Sequence, residues 1–106
     1  MRSGKVYRMT FERSNNGSVL KVELDGELDA VNAPELEQRL RREIPGVKEL
    51  IFDLKELEYV SSAGLRVFLC MQKIMFSQGT MEICNVSESV RDIFHVSGFT
   101  KLLNIV

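Results

Sequence analysis

Apolar and polar residues alternate strictly along one stretch of the chain, Leu20, Val22 and Leu24 against Lys21, Glu23 and Asp25. A period of two is the mark of a strand with one buried face. Met9 and Phe11 alternate in the same way within the segment from Val6 to Arg13. Between the two runs, Asn15-Asn16-Gly17 supplies residues that tolerate the positive φ of a tight turn. The chain is therefore predicted to open with a β-hairpin, whose second strand is broken by Gly26-Glu27-Leu28-Asp29.

The spacing then changes to that of a helix. Leu36, Leu40 and Ile44 recur every four residues. Asn32 and Glu35 have capping-box spacing, Pro34 sits in the first turn where a missing N–H costs nothing, and Pro45-Gly46 ends the segment. Leu50-Ile51-Phe52-Asp53-Leu54 is nearly all apolar, which predicts a central strand covered on both faces. Residues 55–60 read as a loop. Ser61-Ser62-Ala63-Gly64 then opens a helix through Leu65 to Phe76, stopped by Gly79, with Phe68, Met71, Met75 and Phe76 assigned to the core.

Met81 and Ile83 mark another strand. Ser87 caps a last helix with Val90, Ile93, Phe94 and Ser97 on one face and Gly98 at its end, after which Phe99, Leu102, Leu103 and Ile105 complete the core. The order β-β-α-β-α-β-α with a short tail predicts a single small α/β domain over 1–106. Its mixed sheet has four or five strands, with right-handed parallel crossovers and packed helices.

Composition narrows the function. Fourteen Lys and Arg against fifteen Asp and Glu give a net charge of -1, so no global field draws in nucleic acid. Arg39, Arg41 and Arg42 interleave with Glu35, Glu37 and Glu43 as on a solvated helix face. Cys70 and Cys84 form no C-x-x-C pair and read as reduced cytosolic residues, and the lone His95 reads as structural. The N-terminus has no apolar signal region, and the longest apolar run, Val67 to Met71, falls far short of the roughly twenty residues that span a bilayer. A cytoplasmic protein without a membrane span is expected.

Candidate chemistry gathers at the mouth of the middle helix. Ser61 and Ser62 meet free backbone N–H groups there, so each is either a cap or a hydroxyl able to carry a phosphate without breaking the fold. Asp25, Glu27, Asp29, Asp53, Glu56 and Glu58 are expected at the same edge of the sheet. They lack the Asp-x-Asp-x-Asp-Gly pattern of a calcium loop. A serine hydrolase is disfavoured, since G-x-S-x-G is absent and nothing brings His95 to the serines. No enzyme, metal or cofactor is expected.

Three ordered motifs carry a resemblance across essentially the whole chain: Gly26-Glu27-Leu28-Asp29-Ala30; Leu50-Ile51-Phe52-Asp53-Leu54 followed by Tyr59-Val60-Ser61-Ser62-Ala63-Gly64-Leu65-Arg66; and Phe94-His95-Val96-Ser97-Gly98-Phe99. On these the chain resembles the STAS-domain anti-sigma factor antagonists of bacteria. The resemblance implies phosphorylation at Ser62 by an anti-sigma factor serine kinase. It further implies a binding surface of Asp29, Ser61, Ala63, Gly64 and Arg66, and reactivation by a PP2C-like phosphatase. Ser61 stands where the family has Asp, and Ala63 where it has Ser or Thr. Partner switching is the implied mechanism: the unphosphorylated form binds the anti-sigma factor and frees a sigma factor, and the phosphorylated form lets go. The alternative is a STAS subunit of a larger assembly, such as a bacterial lipid-transport complex, without phospho-switching. Oligomeric state, monomer included, is left open.

Overall fold

The computed structural model describes residues 7–106; Val6 and the residues before it lie outside that range. Strands β1 (Arg8–Ser14) and β2 (Val19–Leu28) form the hairpin, with seven pairs from Arg8↔Asp25 to Ser14↔Val19. Its turn places Asn15, Asn16 and Gly17 at positive φ, as their tolerance of the left-handed region predicts.

The chain continues through α1 (Ala33–Glu43), β3 (Glu49–Asp53), β4 (Leu57–Val60), α2 (Ser62–Phe76), β5 (Thr80–Cys84) and α3 (Glu88–Val96). A short 3-10 turn follows at Phe99–Lys101. The sheet runs β1-β2-β3-β5, antiparallel at β1 and parallel elsewhere, with β4 paired to β2. The C-terminus adds a bridge, Ile105 against Ile83 of β5. The expected architecture is present, and β3 is central.

Register lines up Leu20, Leu50 and Met81 in one lateral row and Val22, Phe52 and Ile83 in the next, all buried. These rows share one hydrophobic cluster with Leu36 and Leu40 of α1, Phe68 and Met71 of α2, and Phe94 of α3. Phe68 links sheet to helices by edge-on contacts, 5.0 Å to Phe52 and 5.8 Å to Phe94 between ring centroids.

The opposite face carries Lys21, Glu23, Ile51 and Glu82, all partly exposed. The expectation that β3 is covered on both faces is thus corrected. Its apolar run reflects central placement and the buried row, while Ile51 stands half in solvent.

Five further expectations change. The second strand does not stop at Gly26: β2 absorbs a register shift between Gly26 and Glu27, with Gly26 at φ 92, and runs on to pair Gly26–Leu28 with β4. Residues 57–60 are therefore strand, not loop. The capping box lies one turn early, because Asn32 already has helical φ and ψ and its side chain accepts from Asp29 N at 2.8 Å instead of capping α1. Phe76 and Leu102 leave the core, at 85% and 54% exposure. His95 is also exposed in the last turn of α3, so its side chain has no core role.

Candidate functional site

The bulge and β4 set the site. Ser61 N donates to Leu28 O at 2.8 Å, which ties the start of α2 to the end of β2. Ser61 keeps an extended backbone, φ -83 and ψ 175, and its hydroxyl accepts from Gly64 N at 3.3 Å as the N-cap. Ser62 is the first residue of α2. It is exposed, and its hydroxyl makes no hydrogen bond among the described residues. Two adjacent serines thus differ in kind: one is spent on the helix and the other is free.

Gly64 explains how the helix mouth approaches the sheet so closely. A Cβ at that position would lie 2.8 Å from Leu28 Cγ and Cδ2 and 2.9 Å from Val60 Cγ1. Gly64 is accordingly buried, packed against the end of β2 and β4. Ala63 is half-buried beside it.

Ser62 stands between two grooves. One, of about 310 Å³ between α1 and α2, is lined by Ala33, Pro34, Glu37, Ser62, Ala63, Arg66 and Val67. The other, of about 400 Å³, is lined by Tyr59, Val60, Ser62, Leu65, Asp92, Ile93, Val96 and Ser97. The second groove is largely apolar, and Val96 and Tyr59 leave it 85% and 45% exposed. It also unites motifs far apart in sequence, since Val96 and Ser97 of the third motif face the serine of the second.

None of the six carboxylates expected near the serines lines either groove; Glu37 and Asp92 do. Asp25 pairs with Arg8 at 3.4 Å. Asp53 is buried, accepting from Lys55 N and Asn85 Nδ2 at 3.1 Å each, with Lys21 Nζ at 3.7 Å. Asp29 is turned into its own loop, where Oδ1 accepts from Val31 N at 3.0 Å and Asn32 N at 3.1 Å. It shapes the entry to α1 and lines neither of these two grooves. Among the described residues no group of three His, Cys, Asp or Glu side chains could hold a metal ion. No described helix is long and apolar enough to cross a membrane.

Electrostatics nearby are shaped by burial. The Tyr7 phenol is pushed up to about 12, chiefly by desolvation and then by the charges of Glu35 and Asp29. The Cys84 thiol is likewise raised, first by burial and then by Asp53. Neither residue lines the grooves around Ser62. The arrangement offers an exposed hydroxyl, without a hydrogen bond among the described residues, between two grooves.

The STAS domain family model matches residues 10–106. The chain is 36% identical over 84 residues to BtrV of Bordetella bronchiseptica, named as an anti-sigma factor antagonist, covering 77% of this chain and 72% of that protein. In structure it is similar to an anti-sigma factor antagonist from Mycobacterium paratuberculosis, with a TM-score of 0.84, 22% identity, and coverage of 99% and 89%. SpoIIAA, a Bacillus cell fate determinant, has the same fold in two forms. At 20% identity and 93% coverage of this chain, the TM-score is 0.80 to the unphosphorylated form and 0.72 to the phosphorylated form, covering 88% and 91% of those chains. The chain belongs to the STAS domain family, among the anti-sigma factor antagonists. Its relatives are named for a regulatory role and not for catalysis.

Proposed function

We propose that the unphosphorylated protein binds an anti-sigma factor that is also a serine kinase, frees a sigma factor, and is released when Ser62 is phosphorylated. In that step the γ-phosphoryl group passes from kinase-bound ATP to Ser62 Oγ; ADP leaves and the hydroxyl proton is released. A PP2C-like phosphatase hydrolyses the ester and resets the switch. The kinase supplies nucleotide and metal, so the protein needs no cofactor. The whole of 1–106 acts as one such domain, in the cytoplasm.

The observation that carries this reading is the division of labour at the helix mouth. Because Ser61 holds the cap, Ser62 is exposed and unbonded among the described residues. A phosphate there adds about -1.5 to -2 charge next to a helix N-terminus, a local gain of about 0.3–1 kcal/mol, so the fold survives. At a desolvated interface the same unpaired charge costs about 2–5 kcal/mol, or roughly 30- to several-thousand-fold in affinity. The two forms in which SpoIIAA is known support the chemistry of the switch. The apolar groove beside Ser62 gives the partner a surface to cover.

Titration of the anti-sigma factor with wild-type, Ser62→Ala and Ser62→Asp proteins tests the proposal. Ser62→Ala should bind like wild type and Ser62→Asp far more weakly. Equal binding by all three would overturn it.

A further inference from the structure

Arg66 follows Ser62 by four positions on α2, the spacing that sets two side chains side by side, about 5–6 Å apart at Cβ. Both line the groove between α1 and α2, together with Glu37. The Glu37 carboxylate is already engaged, with Arg41 Nη2 and Nε each 3.0 Å from its Oε2. Arg66 is exposed and makes no ion pair among the described residues. The groove therefore sets an uncommitted guanidinium beside the uncommitted hydroxyl, and the nearest acid on its lining is held by another arginine.

We propose that Arg66 is a positioning residue of the switch: a phosphate on Ser62 draws the Arg66 guanidinium onto itself across one helical turn. This rests on phosphorylation at Ser62 and adds how the signal reaches the docking surface. A planar guanidinium matches phosphate oxygens in pairs, which a lysine ammonium does not. In the unphosphorylated protein Arg66 is open to a carboxylate of the partner. Once Ser62 carries phosphate, the cation is claimed from within. One modification then does two things to the partner: it adds negative charge to the interface and withdraws a positive one.

The test uses the full chain with phosphoserine installed at position 62 by genetic incorporation, so that no kinase is needed. Phosphorus NMR follows the second ionisation of the phosphate against pH in the Arg66, Arg66→Gln and Arg66→Lys proteins. With Arg66 present the midpoint should lie below that of Arg66→Gln by about 0.2–0.4 of a pH unit, the equivalent of an exposed pair four residues apart. Arg66→Lys should recover part of the shift. Equal midpoints in the Arg66 and Arg66→Gln proteins would overturn the inference. The readout involves neither kinase nor partner, so a missing shift counts against Arg66 alone. Failure of a kinase to phosphorylate Ser62 counts against the switch.

Discussion

Ser61 Oγ accepts a hydrogen bond from Gly64 N at 3.3 Å, and that bond separates two neighbouring hydroxyls into a structural one and one left unbonded among the described residues. The separation depends on Gly64 itself, since only a residue without Cβ lets the turn pass so close to Leu28 and Val60. Cap, close approach and exposed Ser62 are one local arrangement, and each part can be tested alone.

Replacing Ser61 removes the cap but leaves the free hydroxyl. Ser61→Ala should lose about 1 kcal/mol of stability, lowering Tm by roughly 4–8 °C, while phosphorylation at Ser62 persists. A calorimetric melt and a kinase assay on the same preparation check both halves. Loss of phosphorylation in a folded Ser61→Ala protein would mean that Ser61 is the acceptor.

Gly64→Ala drives a methyl group into Leu28 and Val60. Overpacking of this kind costs about 1–3 kcal/mol. Urea unfolding should show the loss as a lower midpoint with an unchanged slope. Stability equal to wild type would mean that the helix mouth yields at no cost.

Val96 is exposed at the rim of the apolar groove, so Val96→Ser should change stability by no more than about 0.5 kcal/mol. If the partner covers this groove, affinity for the anti-sigma factor should fall by about tenfold, as for a contact worth somewhat over 1 kcal/mol. Calorimetric titration against the anti-sigma factor measures it, and unchanged affinity would place the interface elsewhere.

The Tyr7 phenol, raised from 10.0 to about 12, keeps its proton longer in the folded than in the unfolded chain. Its contribution to stability is then complete below pH 10 and is lost as pH rises toward 12. Near-ultraviolet absorbance should show a late phenol titration that moves to lower pH in Glu35→Gln, because one of the opposing charges is gone.

Much of this was legible in the sequence, for physical reasons. One-sided burial leaves a period of two, so Leu20, Val22 and Leu24 announce their strand; a helix leaning on a core leaves Leu36 and Leu40 four apart. The helix-mouth serines were visible because capping hydroxyls precede helices. Strand β4 was not visible: it has four residues, its buried Leu57 and Val60 are three apart, and its pairing with β2 runs across a bulge. Nor could spacing choose between Asn32-Glu35 and Asp29-Asn32 as the reciprocal pair, since both are three apart and the choice lies in the backbone angles of Asn32. Nothing in the spacing marks Glu37 and Asp92 as neighbours of Ser62, because which acids flank it depends on where α1 and α3 settle on the sheet. The bland solvated reading of α1 was close, with Arg41 on Glu37 and Arg39 on Glu43, yet Arg39 also lies 4.3 Å from the ring centre of Phe11 and closes the edge of the core.

The central claim is that Ser62 is the switch. Its most direct test is intact-mass spectrometry with peptide mapping, after incubation with the anti-sigma factor kinase proposed as its partner, ATP and magnesium. A single phosphate on Ser62, accompanied by dissociation of the complex, is the predicted result. A stable complex that acquires no phosphate, or a phosphate found on Ser61 alone, would contradict it.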